Sequence, residues 1–348
     1  MTHSDVTITP FAWQTAGDRE FEALARFTNA IEAERLPGDP PRTVGDIMSR
    51  WRSTPPFMEN EAWAAWLPDG TAIVAFGRCT ARHGEDNQHM VECDVLVLPE
   101  WRRKGLGTNI LARVVELPRR EGRRLILAWT YDSVPAGEAF AQHIGAQRGL
   151  VEKHSQLDLA QLDRAMMQEW IARAPTRAAG FEIGCWDGPF PDAELTAISK
   201  LFQVMNGSPR QDLEIEDELM SPDEIRGWER AMGARGMERW LMYAREKATK
   251  EYAGFTEVFW NDKRPTIVQQ GGTGVWPQYR NRGLGRWLKA TMLERVLRER
   301  PQARLVRTDN ADTNEAMLNI NIQLGFMPFM ESMTWQLETE KVVSQLWK

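Results

Sequence analysis

One short motif of basic and glycine residues occurs twice in the chain, 178 residues apart. The first copy reads VLPEWRRKGLG from Val97 to Gly107, and the second reads VWPQYRNRGLG from Val275 to Gly285. Glycine lets a ligand approach the backbone closely, and the free N–H groups at a helix start attract an anion. Each copy follows an apolar run and precedes a segment of helical periodicity. The motif therefore predicts a strand, a tight turn and an anion-binding helix N-terminus, present twice.

Basic side chains add positive charge to both loops. Arg102 and Lys104 in the first copy correspond to Arg280 and Arg282 in the second, and such groups bind phosphate oxygens. For an isolated copy a solvated basic turn is the alternative, but duplication in the same context favours a phosphate site. The sequence contains neither the Gly-Lys-Ser/Thr ending of a Walker loop nor a dinucleotide fingerprint.

The repeated motif resembles the acyl-CoA pyrophosphate loop of the GNAT superfamily of N-acyltransferases, R-x-x-G-x-G after a strand ending V-x-P. The resemblance implies acetyl-CoA as co-substrate, no metal, and direct attack of a small-molecule amine on the thioester. It implies the following cofactor-binding residues: Val97, Arg102, Arg103, Lys104, Gly105, Leu106, Gly107 and Thr108 in the first half, and Val275, Arg280, Asn281, Arg282, Gly283, Leu284, Gly285, Arg286 and Asn314 in the second.

Length and composition limit the class of protein. A chain of 348 residues suggests two domains, and 42% hydrophobic with 26% charged residues is typical of a globular protein. The net charge of −6 argues against nucleic acid or an anionic membrane as partner. Three scattered cysteines indicate neither a disulfide framework nor a zinc site. We expect a cytoplasmic monomer or homodimer without an export signal or membrane span.

The same order of elements is predicted in both halves and indicates a mixed α/β fold. The resemblance implies a mostly antiparallel, splayed sheet flanked by helices, built as two GNAT domains in tandem. We place the first domain at residues 1–159, a helical linker at 160–178 and the second domain at 179–348. Thr130 and Thr308 end matching strands at the spacing of the glycine loops, so they are predicted to be equivalent.

The two halves differ in the helix after the fifth strand. Relatives often carry Asn at its start, Tyr seven residues later as acid for the departing thiolate, and then Gly-Phe. Those positions are occupied by Asn314, Asn321, Gly325 and Phe326 in the second half, and by Val134, Ala141, Gly145 and Ala146 in the first. We therefore predict that the C-terminal domain is catalytic and that the N-terminal domain binds CoA or is structural.

The general base is not in its usual place. Many relatives have Glu six residues before the V-x-P valine, where this chain has Val91 and Gln269. Glu92 would face the other side of a regular strand unless a bulge redirects it. Glu257 and Asn321 are the predicted catalytic residues, although Glu257 is equally consistent with a solvated strand position. Missing acid and base residues would suit a weakly basic acceptor amine that is already neutral near pH 7, or proton transfer carried by water.

Other polar clusters are weaker candidates. The stretch with His83, Glu85, Asp86 and His89 fits a solvated hairpin loop better than a metal site. The acidic run from Asp212 to Glu218 is either a solvated face or a selector of a cationic acceptor.

The tandem arrangement resembles mycothiol synthase and the tandem acyltransferases of actinobacterial natural-product clusters. We expect acetylation of a small amine in secondary metabolism or resistance. The alternatives are catalysis by the N-terminal domain, with the C-terminal domain supporting it, and a non-catalytic, CoA-responsive binding protein.

Overall fold

The computed structural model describes residues 6–346, which form two compact units. Unit 1 contains the chain through Leu150, Gln211–Glu216, and the residues from Ser332 onward. Unit 2 contains Val151–Arg210 and Asp217–Glu331. No helix within residues 6–346 has the length and apolar composition that crossing a bilayer requires.

The elements follow one another in similar order in the two halves. The first half contains β1 (Thr7–Pro10), α1 (Asp18–Arg35), α2 (Val44–Arg52), β2 (Met58–Trp66), β3 (Ile73–Arg82), β4 (Met90–Val97), α3 (Leu106–Val114), α4 (Glu116–Glu121), β5 (Leu125–Tyr131), α5 (Pro135–His143) and β6 (Gln147–Asp158). After the linking helix α6 (Arg164–Arg177), the second half contains β7 (Phe181–Trp186), α7 (Leu195–Phe202), α8 (Pro222–Ala234), β8 (Met237–Glu246), β9 (Tyr252–Asn261), β10 (Ile267–Val275), α9 (Leu284–Glu299), β11 (Leu305–Ala311), α10 (Glu315–Leu324), β12 (Met327–Glu338) and α11 (Thr339–Leu346).

Each unit has a six-stranded mixed sheet with helices on both faces. The strand order is β1-β2-β3-β4-β5-β12 in unit 1 and β6-β11-β10-β9-β8-β7 in unit 2. In the described residues of these sheets, the β4–β5 and β10–β11 pairs are parallel and the other neighbouring strands are antiparallel. In unit 2, α9 packs on one face with Leu288 and Val296, whereas α7 and α8 pack on the other with Ile198 and Ile225. The fold predicted from the sequence is confirmed.

Each unit takes its last strand from the other half of the sequence. Ser332–Glu338 of β12 pair with β5 in unit 1, whereas Glu152–Asp158 of β6 pair with β11 in unit 2. The buried Trp335 belongs to the core of unit 1, where its Nε1 donates to Oγ1 of Thr130 at 2.8 Å. The units therefore differ from the sequential stretches 1–159 and 179–348, because backbone pairing assigns β6 and β12 across the repeat.

A short segment of the second half also belongs to unit 1. Gln336 donates from Nε2 to the Asp212 carbonyl at 2.8 Å and accepts at Oε1 from the Glu214 N–H at 2.6 Å. The Asn87 N–H donates to Glu216 at 2.8 Å. Asp86 and Asn87 are only 3% and 5% exposed. The prediction of a solvated loop is therefore wrong for these two residues, because the acidic segment and nearby side chains cover them.

The parallel strands of each unit separate after a short pairing. Pairing of β4 with β5 ends at Glu92 and Leu127, and pairing of β10 with β11 ends at Gln269 and Arg307. In β10, the register against β9 shifts between Gln270 and Thr273, whereas β4 stays regular against β3. The adjacent glycines at 271 and 272 lie within this bulge, as strand glycines often do. Both units therefore have a gap between their central strands.

The predicted equivalence of Thr130 with Thr308 is wrong. Leu127 and Arg307 hold the last parallel pairs of the two units, so Thr130 corresponds to Asn310. The loop before β11 has two residues more than the loop before β5, because α9 ends at Glu299 and α4 ends at Glu121.

Replacing Trp335 with alanine is expected to destabilise unit 1, although residue 335 lies near the end of the chain. The side chain is 2% exposed, and removing a buried Trp costs about 3–5 kcal/mol. Hydrogen exchange in α3 should accelerate, with a lower denaturation midpoint. Phe329→Ala is the control, because its side chain is 38% exposed. Unchanged protection of α3 in Trp335→Ala would contradict the assignment of β12 to unit 1.

Candidate active site

The two glycine loops fold alike. Gly105 and Gly283 are the N-caps of α3 and α9, with left-handed φ values of 76° and 82°, and neither helix start has a side-chain cap. Arg103 and Asn281 are also left-handed, with φ of 60° and 63°. The uncapped N–H groups at these helix starts are free to bind an anion. Both loops therefore fit a pyrophosphate group.

The first arginine of each loop is anchored in the same way but differs in charge balance. Nε of Arg102 donates to the Val97 carbonyl at 3.1 Å, and Nε of Arg280 donates to the Val275 carbonyl at 3.0 Å. Arg102 also forms a two-pronged ion pair with Glu34 of α1. Among residues 6–346, Arg280 has no carboxylate partner. The loop of unit 2 thus keeps the positive charge that the loop of unit 1 neutralises.

The remaining loop residues differ in their contacts and burial. Lys104 Nζ donates to the Glu100 carbonyl at 2.8 Å, and Arg286 donates to Gln323 at 3.3 Å. Leu106 and Leu284 are buried in the cores, so only their backbone can meet a ligand. The other predicted members lie on the same turns: Thr108 and Gly107 begin α3, Gly285 begins α9, and Arg282 lies over the ring of Phe181.

Glu257 lies on β9 beside the bulge of β10. It is half-buried and pairs across the sheet with Leu241, which packs toward α7 and α8. A side chain at Gly271 would lie 2.9 Å from Cγ of Glu257, so glycine makes room for the carboxyl. Burial raises the pKa of Glu257 to about 7, against smaller opposing effects of Arg239 and the Gly272 N–H. The group can therefore exchange a proton near neutral pH.

Unit 1 has an ion pair where unit 2 has Glu257. The valine that ends β4 or β10 pairs with an equivalent residue in each unit, Val97 with Ala75 and Val275 with Gly254. Arg78 and Glu257 lie three residues after these partners on β3 and β9, so they occupy equivalent positions. Arg78 is bound to Asp94, with Nη2 2.6 Å from the carboxylate oxygen. An arginine in an ion pair cannot act as a base at neutral pH.

Glu92 lies at the corresponding edge of the gap in unit 1. It holds the last parallel pair of β4 and lies opposite Thr80, so it shares the sheet face of Arg78. The position in unit 2 is Gln269. A bulge is not needed to bring Glu92 to this face, because the ladder with β3 is regular.

Asn314 lies at the start of α10 and Asn321 lies within it. Asn314 is the N-cap, and its Oδ1 accepts from the Met317 N–H at 3.3 Å. Asn321 is 2% exposed and accepts from Nζ of Lys289 at 2.7 Å. Since a neutral amide has no acidic proton to give at neutral pH, Asn321 cannot replace a tyrosine acid.

Two further carboxyl groups lie on the same sheet face as Glu257. Val306 packs toward α9, so Asp309, three residues later on β11, faces the other way. The half-buried Glu152 on β6 is a diagonal neighbour of Asp309. Burial, and secondarily the charge of Asp309, raise the pKa of Glu152 to about 7. This face of unit 2 is therefore rich in carboxyl groups.

Lys289 and the bulge in β10 were not predicted from the sequence. The Gln-Gln-Gly-Gly sequence at 269–272 was a usable signal, because paired glycines in a strand indicate an irregularity. Lys289 had a weaker signal: it follows Leu288 on the buried side of a helix, and only packing shows that its amine is enclosed.

Sequence comparisons relate the chain to known acetyltransferases. The profile of the acetyltransferase (GNAT) family matches residues 25–146. A mycothiol acetyltransferase of Rhodococcus erythropolis (strain PR4) is 25% identical over 279 residues, covering 77% of this chain and 82% of the relative.

Two solved structures share the whole architecture. A tandem GNAT protein from the clavulanic acid biosynthesis pathway is 27% identical, with a TM-score of 0.78, covering 96% of this chain and 99% of its own. A GCN5-related N-acetyltransferase from Sphaerobacter thermophilus is 13% identical, with a TM-score of 0.65, and covers 97% of both chains. The second likeness concerns the fold alone.

Replacing Glu257 with glutamine should change how stability depends on pH. The folded pKa of about 7 lies above the ordinary 4.5, so the native state holds the proton more tightly and loses stability as pH rises through 7. Glu257→Gln lacks this loss. The free energy of unfolding of the variant, relative to that of the wild type, should therefore increase by about 1–3 kcal/mol between roughly pH 5 and 8.

Denaturant unfolding across this pH range provides the measurement. Asp262→Asn is the matched control, since Asp262 is an exposed residue of the turn after β9. A Glu257→Gln profile parallel to that of the wild type would show that the carboxyl has an ordinary pKa.

Proposed function

Because the chain belongs to the GNAT superfamily of acetyltransferases and carries two GNAT units in tandem, we propose that it is an acetyl-CoA-dependent N-acetyltransferase of a small amine. Unit 2 holds the catalytic site in this proposal. The observation that carries the assignment is Glu257, a half-buried carboxyl with a pKa of about 7 beside the bulge at the strand gap.

The proposed reaction is direct transfer. The neutral acceptor nitrogen attacks the thioester carbonyl carbon, so that a C–N bond forms, the C–S bond breaks, and the electron pair stays on sulfur. Glu257 takes the proton that the nitrogen loses. A base with a pKa near the working pH combines a useful ionised fraction with enough basicity, and such groups contribute about 10²–10⁴-fold in rate.

The loop of unit 2 supports binding of the pyrophosphate of acetyl-CoA. It offers the uncapped N–H groups of α9 and the guanidinium of Arg280, which has no carboxylate partner in the described residues 6–346. The gap beyond Gln269 leaves strand backbone for the amides of the pantetheine arm. In unit 1, Arg102 is already paired with Glu34. We infer that unit 1 serves to bind CoA or to support the fold.

The acceptor is best described as a small cationic amine. Glu257, Asp309 and Glu152 lie on one face of unit 2, and these carboxyl groups attract an ammonium group when they are ionised. One relative is named a mycothiol acetyltransferase and another comes from clavulanic acid biosynthesis. These names support a role in secondary or small-molecule metabolism. The three free cysteines agree with the cytoplasmic location that we propose.

Catalysis by unit 1 is the second candidate, and Glu92 favours it. This carboxylate lies at the last parallel pair of β4, and the family profile matches the half of the chain that contains it. Arg78 and Asp94 lie on the same face, however, and their ion pair occupies the position of Glu257.

Glutamine substitutions at the two carboxylates distinguish the units. Glu257→Gln is expected to lower kcat by about 10²-fold or more, because the acceptor proton loses its base. Glu92→Gln should retain nearly full turnover. The measurement is release of free thiol from acetyl-CoA across a panel of amines. The reverse pattern would assign catalysis to unit 1.

Valine at Gly105 and at Gly283 tests the two loops separately. Both glycines have positive φ, which a β-branched residue adopts only with strain. Gly283→Val should abolish turnover and binding at unit 2, whereas Gly105→Val should leave turnover intact. Calorimetry with acetyl-CoA gives the stoichiometry of each variant. Tight binding of ATP but not acetyl-CoA by the wild type would refute the proposed cofactor.

A further inference from the structure

Unit 2 contains a buried amine without a counter-charge. Lys289 on α9 is 1% exposed, and its Nζ donates to Oδ1 of Asn321 at 2.7 Å. The Phe326 ring centroid lies 5.5 Å away, and Sδ of Met317 lies 3.8 Å away. No carboxylate in the described part of the chain forms an ion pair with Lys289. Burying an unpaired ammonium group is costly, so this position needs an explanation.

A series of hydrogen bonds begins at this amine, and all of its donors point the same way. Nδ2 of Asn321 donates to Oδ1 of Asn310 on β11, at 2.7 Å. Asn310 is half-buried and lies three residues beyond Arg307, where pairing with β10 ends. Each donor is therefore oriented from Lys289 toward Asn310 at the strand gap. Aligned hydrogen bonds polarise one another, so the amide hydrogens of Asn310 form the positive end of the chain.

The fold itself does not require this chain. When α3 and α9 are aligned at their glycine caps, Leu111 in unit 1 corresponds to Lys289 in unit 2. When α5 and α10 are aligned at their starts, Ala141 corresponds to Asn321. Both counterparts are buried in the apolar core of unit 1. Thr130 takes the place of Asn310. The same architecture thus packs without a polar network, and unit 2 retains one despite its cost.

We propose that Lys289, Asn321 and Asn310 form a relay that stabilises the thiolate released in acetyl transfer. This inference rests on the proposed function. When the C–S bond breaks, the electron pair remains on sulfur, and Asn310 offers an N–H donor to that charge. Lys289 acts through the two amides and is a positioning residue. The relay stabilises the thiolate without moving a proton along its hydrogen bonds, so it does not require a tyrosine acid.

The protonation of Lys289 supports the relay without carrying it. Burial lowers the pKa of Lys289 to about 7, so an anion in the gap would favour the charged amine. By the same coupling, the charged amine would favour the anion. The charged amine would stabilise acetyl-CoA itself less, because the sulfur of the thioester is uncharged. Stabilisation that grows as the C–S bond breaks is the kind that accelerates a reaction.

The test compares CoA with desulfo-CoA, which lacks the sulfur, and requires no acceptor. Calorimetry gives the affinity of each ligand, and ultraviolet absorption of the bound thiolate gives the thiol pKa. Lys289→Met and Asn310→Thr are the test variants; the second introduces the residue that unit 1 carries. Lys200→Met, at an exposed position of α7, is the control. Since Leu111 fills the equivalent site, Lys289→Met should fold.

In the wild type, the thiol of bound CoA should have a pKa at least about one unit below that of free CoA titrated under the same conditions. Lys289→Met should abolish this shift and weaken CoA binding about ten- to a hundredfold, the range for a hydrogen bond to a charged group. Desulfo-CoA should bind equally well to both. An unchanged ratio of CoA to desulfo-CoA affinity in Lys289→Met would overturn the relay but leave the proposed function standing. A wild type that binds neither ligand would overturn both.

Discussion

The separation of β10 from β11 is the constraint on which the candidate site depends. After Gln269 and Arg307 the two strands no longer pair, and their backbone groups need other partners, since buried N–H and C=O groups are rarely left unsatisfied. An extended ligand with amide groups meets that need. The bulge in β10 places Glu257 at one face of the gap, and Asn310 lies toward the other. The two polar groups therefore lie on opposite faces of the gap, Glu257 on β9 and Asn310 on β11.

Duplication allows the contribution of the fold to be distinguished from that of the site. Both units keep the left-handed glycine cap, the uncapped helix start and the short parallel ladder. They differ in charge: Arg102 is neutralised by Glu34, whereas Arg280 has no carboxylate partner within residues 6–346. Since the apolar arrangement of unit 1 is sufficient for the architecture, the buried polar groups of unit 2 are best explained by binding or catalysis.

Much of the architecture follows from local patterns. The glycine loops, the order of strands and helices, and the linking helix α6 could be read from periodicity and turn residues. Assigning the last strand of each unit could not be done in this way. The sequence predicts that β6 and β12 exist, but pairing partners depend on long-range contacts, and each strand contributes to the unit formed mainly by the other half. The roles of Asn321 and Lys289 depend equally on contacts between separate helices.

The sequence alone determined the repeated glycine loop and the helix start that follows it, because helix starts and glycine turns are local features set by neighbouring residues. It also identified Glu257 as a candidate. Tertiary structure decided the environment of that carboxyl, since a pKa near 7 arises from burial beside the bulge. It likewise decided that Lys289 lies in the interior with no carboxylate partner among residues 6–346. Burial and charge compensation are properties of residues brought together from distant parts of the chain, and for that reason spacing in the sequence could not supply them.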